Sequence, residues 1–183
     1  MKGARMMIDI STHNLLLSNR ETLKGCSFDE TNNIYMTESK KIAVNFDKVK
    51  RKYLNNMSLS EENATSVDAI IQNNGNDIFI EFKNGKMKGE KRKVKDKIRD
   101  SLLILFDLTK ENISYSRKNI IFILVYNQSK NPLDSRQKIN QHFSSKAGAE
   151  VIRFDLEKYQ TLFFKEVHTY TEEEFEKYIE NIV

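Results

Sequence analysis

Residues 65–83 read TSVDAIIQNNGNDIFIEFK, and the fold is decided by how this stretch is read. Thr65–Gln72 is a short β-branched run, NNGN is a strong turn signal, and Asp77–Lys83 is a second, alternating run. Two such runs around a four-residue, glycine-containing loop make a β-hairpin. With Asn73–Asn76 as the loop, Gln72 pairs with Asp77 and Asp68 falls opposite Glu81. Strand alternation then puts Glu81 and Lys83 on one face and Ile78, Ile80 and Phe82 on the other. Like charges directly opposite each other destabilise a ladder, so Asp68 and Glu81 call for a cation between them. Hard divalent ions such as Mg²⁺ or Mn²⁺ take one or two carboxylates together with waters and phosphate oxygens. A lysine two residues beyond Glu81 is placed to orient or deprotonate a water, or to stabilise charge developing on phosphorus.

Outward from the hairpin, residues 41–54 carry Ile42, Phe46, Val49 and Tyr53 on one helical face, with Lys48, Lys50, Arg51 and Lys52 opposite. After Asn84-Gly85 a helix is expected over about 90–108, its apolar stripe formed by Val94, Ile98, Leu102, Leu105 and Leu108. Residues 119–126, NIIFILVY, form a nearly continuous apolar run that suits a strand covered on both faces. A helix over 134–147, strands at Val151–Leu156 and Leu162–Thr169, and a capped helix from Thr171 complete the chain. The N-terminal 40 residues offer little beyond a short strand at Ile34–Met36. This order predicts an α/β fold: a single domain over 1–183 with a central mixed β-sheet flanked by helices. Its core is expected at about 41–126, with the C-terminal strands and helix (151–183) packed on it.

The 183 residues suffice for one domain with a core that needs no disulfide staples. One proline and six glycines exclude collagen-like and linker-rich classes. The single cysteine, Cys26, excludes a disulfide framework and fits a reducing compartment. No apolar stretch is long enough for a membrane span, and the N-terminus lacks the apolar segment of a signal peptide, so a cytoplasmic protein is expected. The net charge of +4 is unevenly spread. Nine basic residues between Lys83 and Arg99 face only Glu90 and Asp96, which favours a polyanionic partner at one surface. Lys86, Lys88, Lys91, Arg92, Lys93 and Lys95 are the nucleic-acid-binding candidates, against a plainly solvated helix face.

Asp68, the turn, the strand carrying Glu81-Phe82-Lys83 and the basic helix, in that order, resemble the PD-(D/E)XK nuclease superfamily with its restriction-endonuclease-like core. The resemblance implies that Asp68 and Glu81 bind Mg²⁺ (or Mn²⁺) with help from the Ile80 carbonyl, and that Lys83 is the catalytic lysine. It further implies cleavage of nucleic acid, DNA ahead of RNA, in defence, restriction or a toxin system, with dimerisation left open. Val67 stands where the family has proline, and residues 41–54 contain no glutamate. Glu38, Glu61 and Glu62 are therefore the nearest candidates for a further acidic ligand, and the first strand of the family's β-meander is not evident. The alternative is a non-catalytic interaction module on the same fold. His13, His142 and His168 have no metal-site spacing, Gly85 and Gly89 lack the pattern of a phosphate loop, and Cys26 has no nucleophile context. Tyr115, Tyr126 and Tyr159 are candidates for base stacking or for core.

Overall fold

The hairpin forms in the expected register: Gln72 lies across from Asp77, and the ladder runs on to Ala69 opposite Ile80. Its loop is tighter than the sequence suggests. Asn73 and Asn76 are themselves paired, leaving a two-residue turn of Asn74 (φ 46°) and Gly75 (φ 79°). Both left-handed conformations are what a type I′ turn requires, and Asn-Gly is the pair that supplies them. The paired couples are unchanged, because shortening the loop symmetrically does not shift register.

The computed structural model describes residues 8–135, 138–139 and 150–182. Along the chain come α1 (Asn14–Leu17), β1 (Arg20–Thr22), α2 (Leu23–Cys26), β2 (Phe28–Asp29), β3 (Ile34–Tyr35), β4 (Ile42–Asn45) and α3 (Phe46–Asn56). The hairpin strands β5 (Ala69–Asn73) and β6 (Asn76–Lys83) follow, then α4 (Lys91–Thr109), α5 (Ile113–Asn119) and β7 (Ile120–Tyr126). The last elements are α6 (Glu157–Leu162), β8 (Glu166–Thr171) and α7 (Glu172–Asn181). They make a single α/β domain with a six-stranded mixed sheet in the order β1-β4-β5-β6-β7-β8. The β1 to β6 half is antiparallel, whereas β6, β7 and β8 run parallel. β2 and β3 form a separate two-stranded ribbon. All seven residues of β7 are buried, as a strand between two parallel neighbours and under helices on both faces must be.

The two faces of the sheet carry separate cores. On one, Phe79, Phe122 and Leu124 pack with Phe46 and Val49 of α3, Val94, Ile98 and Leu102 of α4 and Tyr159 of α6. On the other, Ile78, Ile80 and Phe82 pack with Leu23 of α2 and Phe175 and Ile179 of α7. Tyr115, Tyr126 and Tyr159 are buried, so they belong to the core and not to a stacking surface. The expected stripe on α4 is buried at Val94, Ile98, Leu102 and Leu105.

Several expected elements differ. Residues 41–54 are not one helix, because Ile42–Asn45 is a strand held between β1 and β5. Ile42 is 53% exposed, so its helical spacing to Phe46 was coincidental. The helix starts at Phe46, where the Asn45 side chain accepts from the Lys48 amide as an N-cap. β4 is thus a strand that the sequence does not announce, antiparallel to β5 as β5 is to β6. Thr65–Val67 is not part of β5. Val151–Leu156 is not a strand either, since Phe154 and Asp155 both have left-handed backbone (φ 64° and 61°), which breaks a pleat. Leu162 ends α6, and the last strand begins at Glu166. The helix expected over 134–147 lies largely outside the described residues. The terminal helix forms as expected with a full capping box between Thr171 and Glu174. Among the described residues no helix is long and apolar enough to cross a membrane.

Candidate functional site

Asp68 sits just before β5, and nearly every group around its backbone fixes it. Helix α4 clamps the approach: Asp100 Oδ2 accepts from the Thr65 amide and hydroxyl, and the fully buried Ser101 Oγ accepts from the Val67 amide at 2.8 Å. The Asp68 amide donates to the Ile80 carbonyl at 3.1 Å, and the Asp68 carbonyl accepts from the Phe46 amide at the start of α3. Its carboxylate Oδ2 accepts from the Phe82 amide at 2.6 Å. The carboxylate is therefore turned toward β6, on the face that bears Glu81 and Lys83.

The Glu81 side chain is fully buried. Asp68 and Glu81 do share a cation, and it is Lys97 of α4. Its Nζ lies 3.1 Å from Asp68 Oδ1 and 2.8 Å and 3.0 Å from the two oxygens of Glu81. Lys83 Nζ adds a second ammonium 3.1 Å from Glu81 Oε1. Asp47, in the first turn of α3, accepts from the Ser66 hydroxyl and contributes negative charge to both Asp68 and Lys97. Asp68, Glu81 and Lys83 thus converge on one face at the end of the hairpin remote from its turn.

Of these groups Asp47, Asp68 and Lys83, with Asn84, Lys86 and Glu90, line one side of a cleft enclosing about 310 Å³. Ser27, Phe28 and Asp29 of the ribbon region line the other. Asn84 ties the two together: its Nδ2 donates to Asp29 Oδ2 at 2.7 Å, and its Oδ1 accepts from Asn127 and Lys130. Asn131 holds the loop beyond β6, accepting from the Met87 amide and donating to the Gly85 carbonyl.

Burial, and then the charge of Glu81, push the Asp68 pKa up to about 7, against the pull of Lys97 and the Phe82 amide. For Lys97 burial alone lowers the pKa, but the charges of Asp68, Glu81 and Asp47 outweigh it and hold the ammonium protonated. Burial raises the Cys26 thiol, and Glu21 raises it further, so it is not a ready nucleophile.

Two members of this cluster escape sequence reasoning. Lys97 reads as one more charge in a basic run, although it sits four residues before Ser101 and next to Ile98 on the edge of the buried stripe. Asp47 is missed because only a glutamate is sought in that helix, and the aspartate in its first turn is passed over. The three glutamates named from sequence do not line the cleft: Glu38 pairs with Lys24, Glu61 with Arg51, and Glu62 is exposed. The basic candidates also divide. Lys86 lines the cleft and Lys88 is exposed beside it. Lys91 pairs with Asp155, Arg92 with Asp96 and Lys93 with Glu90, while Lys95 lies over the Tyr159 ring.

Asp68 lines the cleft and the fully buried Glu81 lies behind it, a pair of hard carboxylates whose chemistry suits Mg²⁺ or Mn²⁺. The Ile80 carbonyl, expected to assist, accepts the Asp68 amide in the ladder. Among the described residues no group of three or more His, Cys, Asp or Glu is gathered closely enough to hold a metal. The position between the carboxylates belongs to an ammonium. Comparison with known proteins adds nothing to this geometry, since no protein family, curated protein or solved structure matches the chain.

Proposed function

We propose that this chain is a PD-(D/E)XK-type nuclease domain that hydrolyses phosphodiester bonds with Mg²⁺ or Mn²⁺. The observation that carries the reading is the convergence of Asp68 and Glu81 on a single cation, with the Lys83 ammonium beside them at the wall of an open cleft. The surrounding architecture supports it: three antiparallel strands (β4, β5, β6), then helix α4, then a parallel strand β7 beside β6. Asp68 and Glu81 would hold the metal, which when bound polarises the phosphate and activates water. Lys83, 20% exposed, presents its ammonium where negative charge develops on a phosphate oxygen.

Of the carboxylates lining the cleft, Asp68 pairs with Lys97 and Glu90 with Lys93, so Asp29 and Asp47 set against Lys83 and Lys86 leave its charge near balance. Lys86, Lys88 and the outer face of α4 grip the nucleic-acid backbone without reading sequence, DNA being the expected substrate ahead of RNA. Surface ion pairs such as Lys93–Glu90 are weak enough to exchange for phosphate contacts. A lone, partly buried Cys26 suits a reducing cytoplasm.

The second reading, a non-catalytic module on the same fold, is favoured by Lys97, because an ammonium already neutralises both carboxylates. The two are separated by nicking assays on supercoiled plasmid and cleavage assays on single-stranded oligonucleotides, with Mg²⁺, Mn²⁺ or chelator. Metal-dependent cleavage that disappears in Glu81→Gln and Lys83→Ala supports the nuclease. Retained binding of nucleic acid with no cleavage under any metal condition supports the module.

A further inference from the structure

We propose that Lys97 is a resident counter-ion that competes with the divalent metal for the Asp68 and Glu81 carboxylates, so that the metal enters only as the ammonium leaves. The inference rests on the nuclease reading and concerns how that site is regulated.

The geometry carries it in three steps. First, Lys97 Nζ contacts three carboxylate oxygens, Asp68 Oδ1 at 3.1 Å and both Glu81 oxygens at 2.8 Å and 3.0 Å. These are oxygens a hard divalent ion would use, and an ammonium seated between them occupies the position, and supplies the charge, that the ion would bring. Second, the site is balanced as it stands: Asp68 and Glu81 are matched by Lys83 and Lys97. A buried carboxylate pair with no cation would be strongly unfavourable, so Lys97 lets the metal-free protein fold with its acidic site intact. Third, the two lysines are not equivalent. Lys83 touches Glu81 alone, at the end of β6, whereas Lys97 bridges both carboxylates from helix α4. The Lys97 side chain is 20% exposed and its four-carbon stem is flexible, so the ammonium can withdraw without moving the helix. Asp47 is the remaining carboxylate in its field and is a partner for the displaced ammonium.

The chemistry of the exchange is ionic, with no bond made or broken beyond coordination: M²⁺ gains carboxylate oxygens and the ammonium keeps its protons. Lys97 is a positioning residue here, acting on the metal through the carboxylates they share.

The test is metal affinity, read apart from cleavage. Ca²⁺ and Mn²⁺ are titrated by calorimetry into wild type, Lys97→Met and Lys83→Met. Competition predicts at least tenfold tighter binding for Lys97→Met and a smaller gain for Lys83→Met. Because Lys97→Met leaves two carboxylates less well neutralised and can fail to fold without metal, a second measurement uses the wild type. Lysine acetylation by an amine-reactive ester is mapped by mass spectrometry in chelator and in saturating Ca²⁺. Lys97 should be protected in chelator and become reactive with Ca²⁺, while Lys110, remote in sequence at the end of α4, stays constant. Unchanged affinity in Lys97→Met, or metal binding to wild type that leaves Lys97 protected, overturns the proposal and leaves the nuclease reading standing. Failure of both wild type and Lys97→Met to bind either metal removes the nuclease reading itself.

Discussion

Ser101→Ala tests whether α4 holds the site as described. The Ser101 hydroxyl accepts the Val67 amide at 2.8 Å, and both residues are fully buried. Alanine removes the acceptor and leaves a backbone N–H with no partner and no path to water. An unsatisfied buried donor costs about 1–3 kcal/mol, and the small void left by the oxygen adds little, so a loss of about 2 kcal/mol is expected. In a chain of this size that lowers the Tm by about 4–8 °C. The neighbouring clamp is the control. Thr65 donates twice to Asp100 at an exposed position, where water replaces the lost bond, so Asp100→Ala should cost less than about 1 kcal/mol. The assay is urea unfolding, with the midpoint falling and the slope unchanged. Native-state hydrogen exchange should show the Val67 amide losing protection selectively. A Ser101→Ala protein within 0.5 kcal/mol of wild type, with the Val67 amide still protected, would refute the reasoning.

Three further outcomes are expected. Gly75→Ala meets no atom within 4 Å but imposes a side chain at φ 79°, so chemical denaturation should show a loss of about 1–2 kcal/mol with the hairpin register kept. Thr171→Ala removes the capping box of α7 and should cost about 1 kcal/mol, read as a lower thermal midpoint and faster amide exchange in the first turn of that helix. Burial lowers the His168 pKa, but Glu150 and then Glu166 raise it above its ordinary value. The resulting stabilisation is complete below about pH 6.5 and fades as pH rises through the elevated native value. Unfolding curves of wild type and His168→Gln should therefore differ most at pH 5.5–6 and converge at alkaline pH; a gap that widens with pH would contradict the assignment.

The hairpin was legible because its information is local. A period of two, the NNGN turn signal and seven alternating residues leave one register that buries Ile78, Ile80 and Phe82, and that register alone brings Asp68 beside Glu81 and Lys83. The stripe of α4, the doubly covered β7 and the cap at Thr171 were readable for the same reason. What the tertiary structure decided depends on which layer meets which. Ile42 has helical spacing to Phe46, yet Ile42–Asn45 pairs between β1 and β5 because the sheet offers it ladder partners on both sides. Asp47 becomes part of the site only because α3 begins where the Asp68 carbonyl receives its first amide. Lys97 is indistinguishable in sequence from its eight basic neighbours in 83–99. Its role is set by the rotation of α4 on the sheet, which buries Ile98 and Ser101 and so carries the adjacent ammonium inward between two carboxylates. A charge pattern states that cations are present; only packing decides which of them is withdrawn from water, and what it must then neutralise.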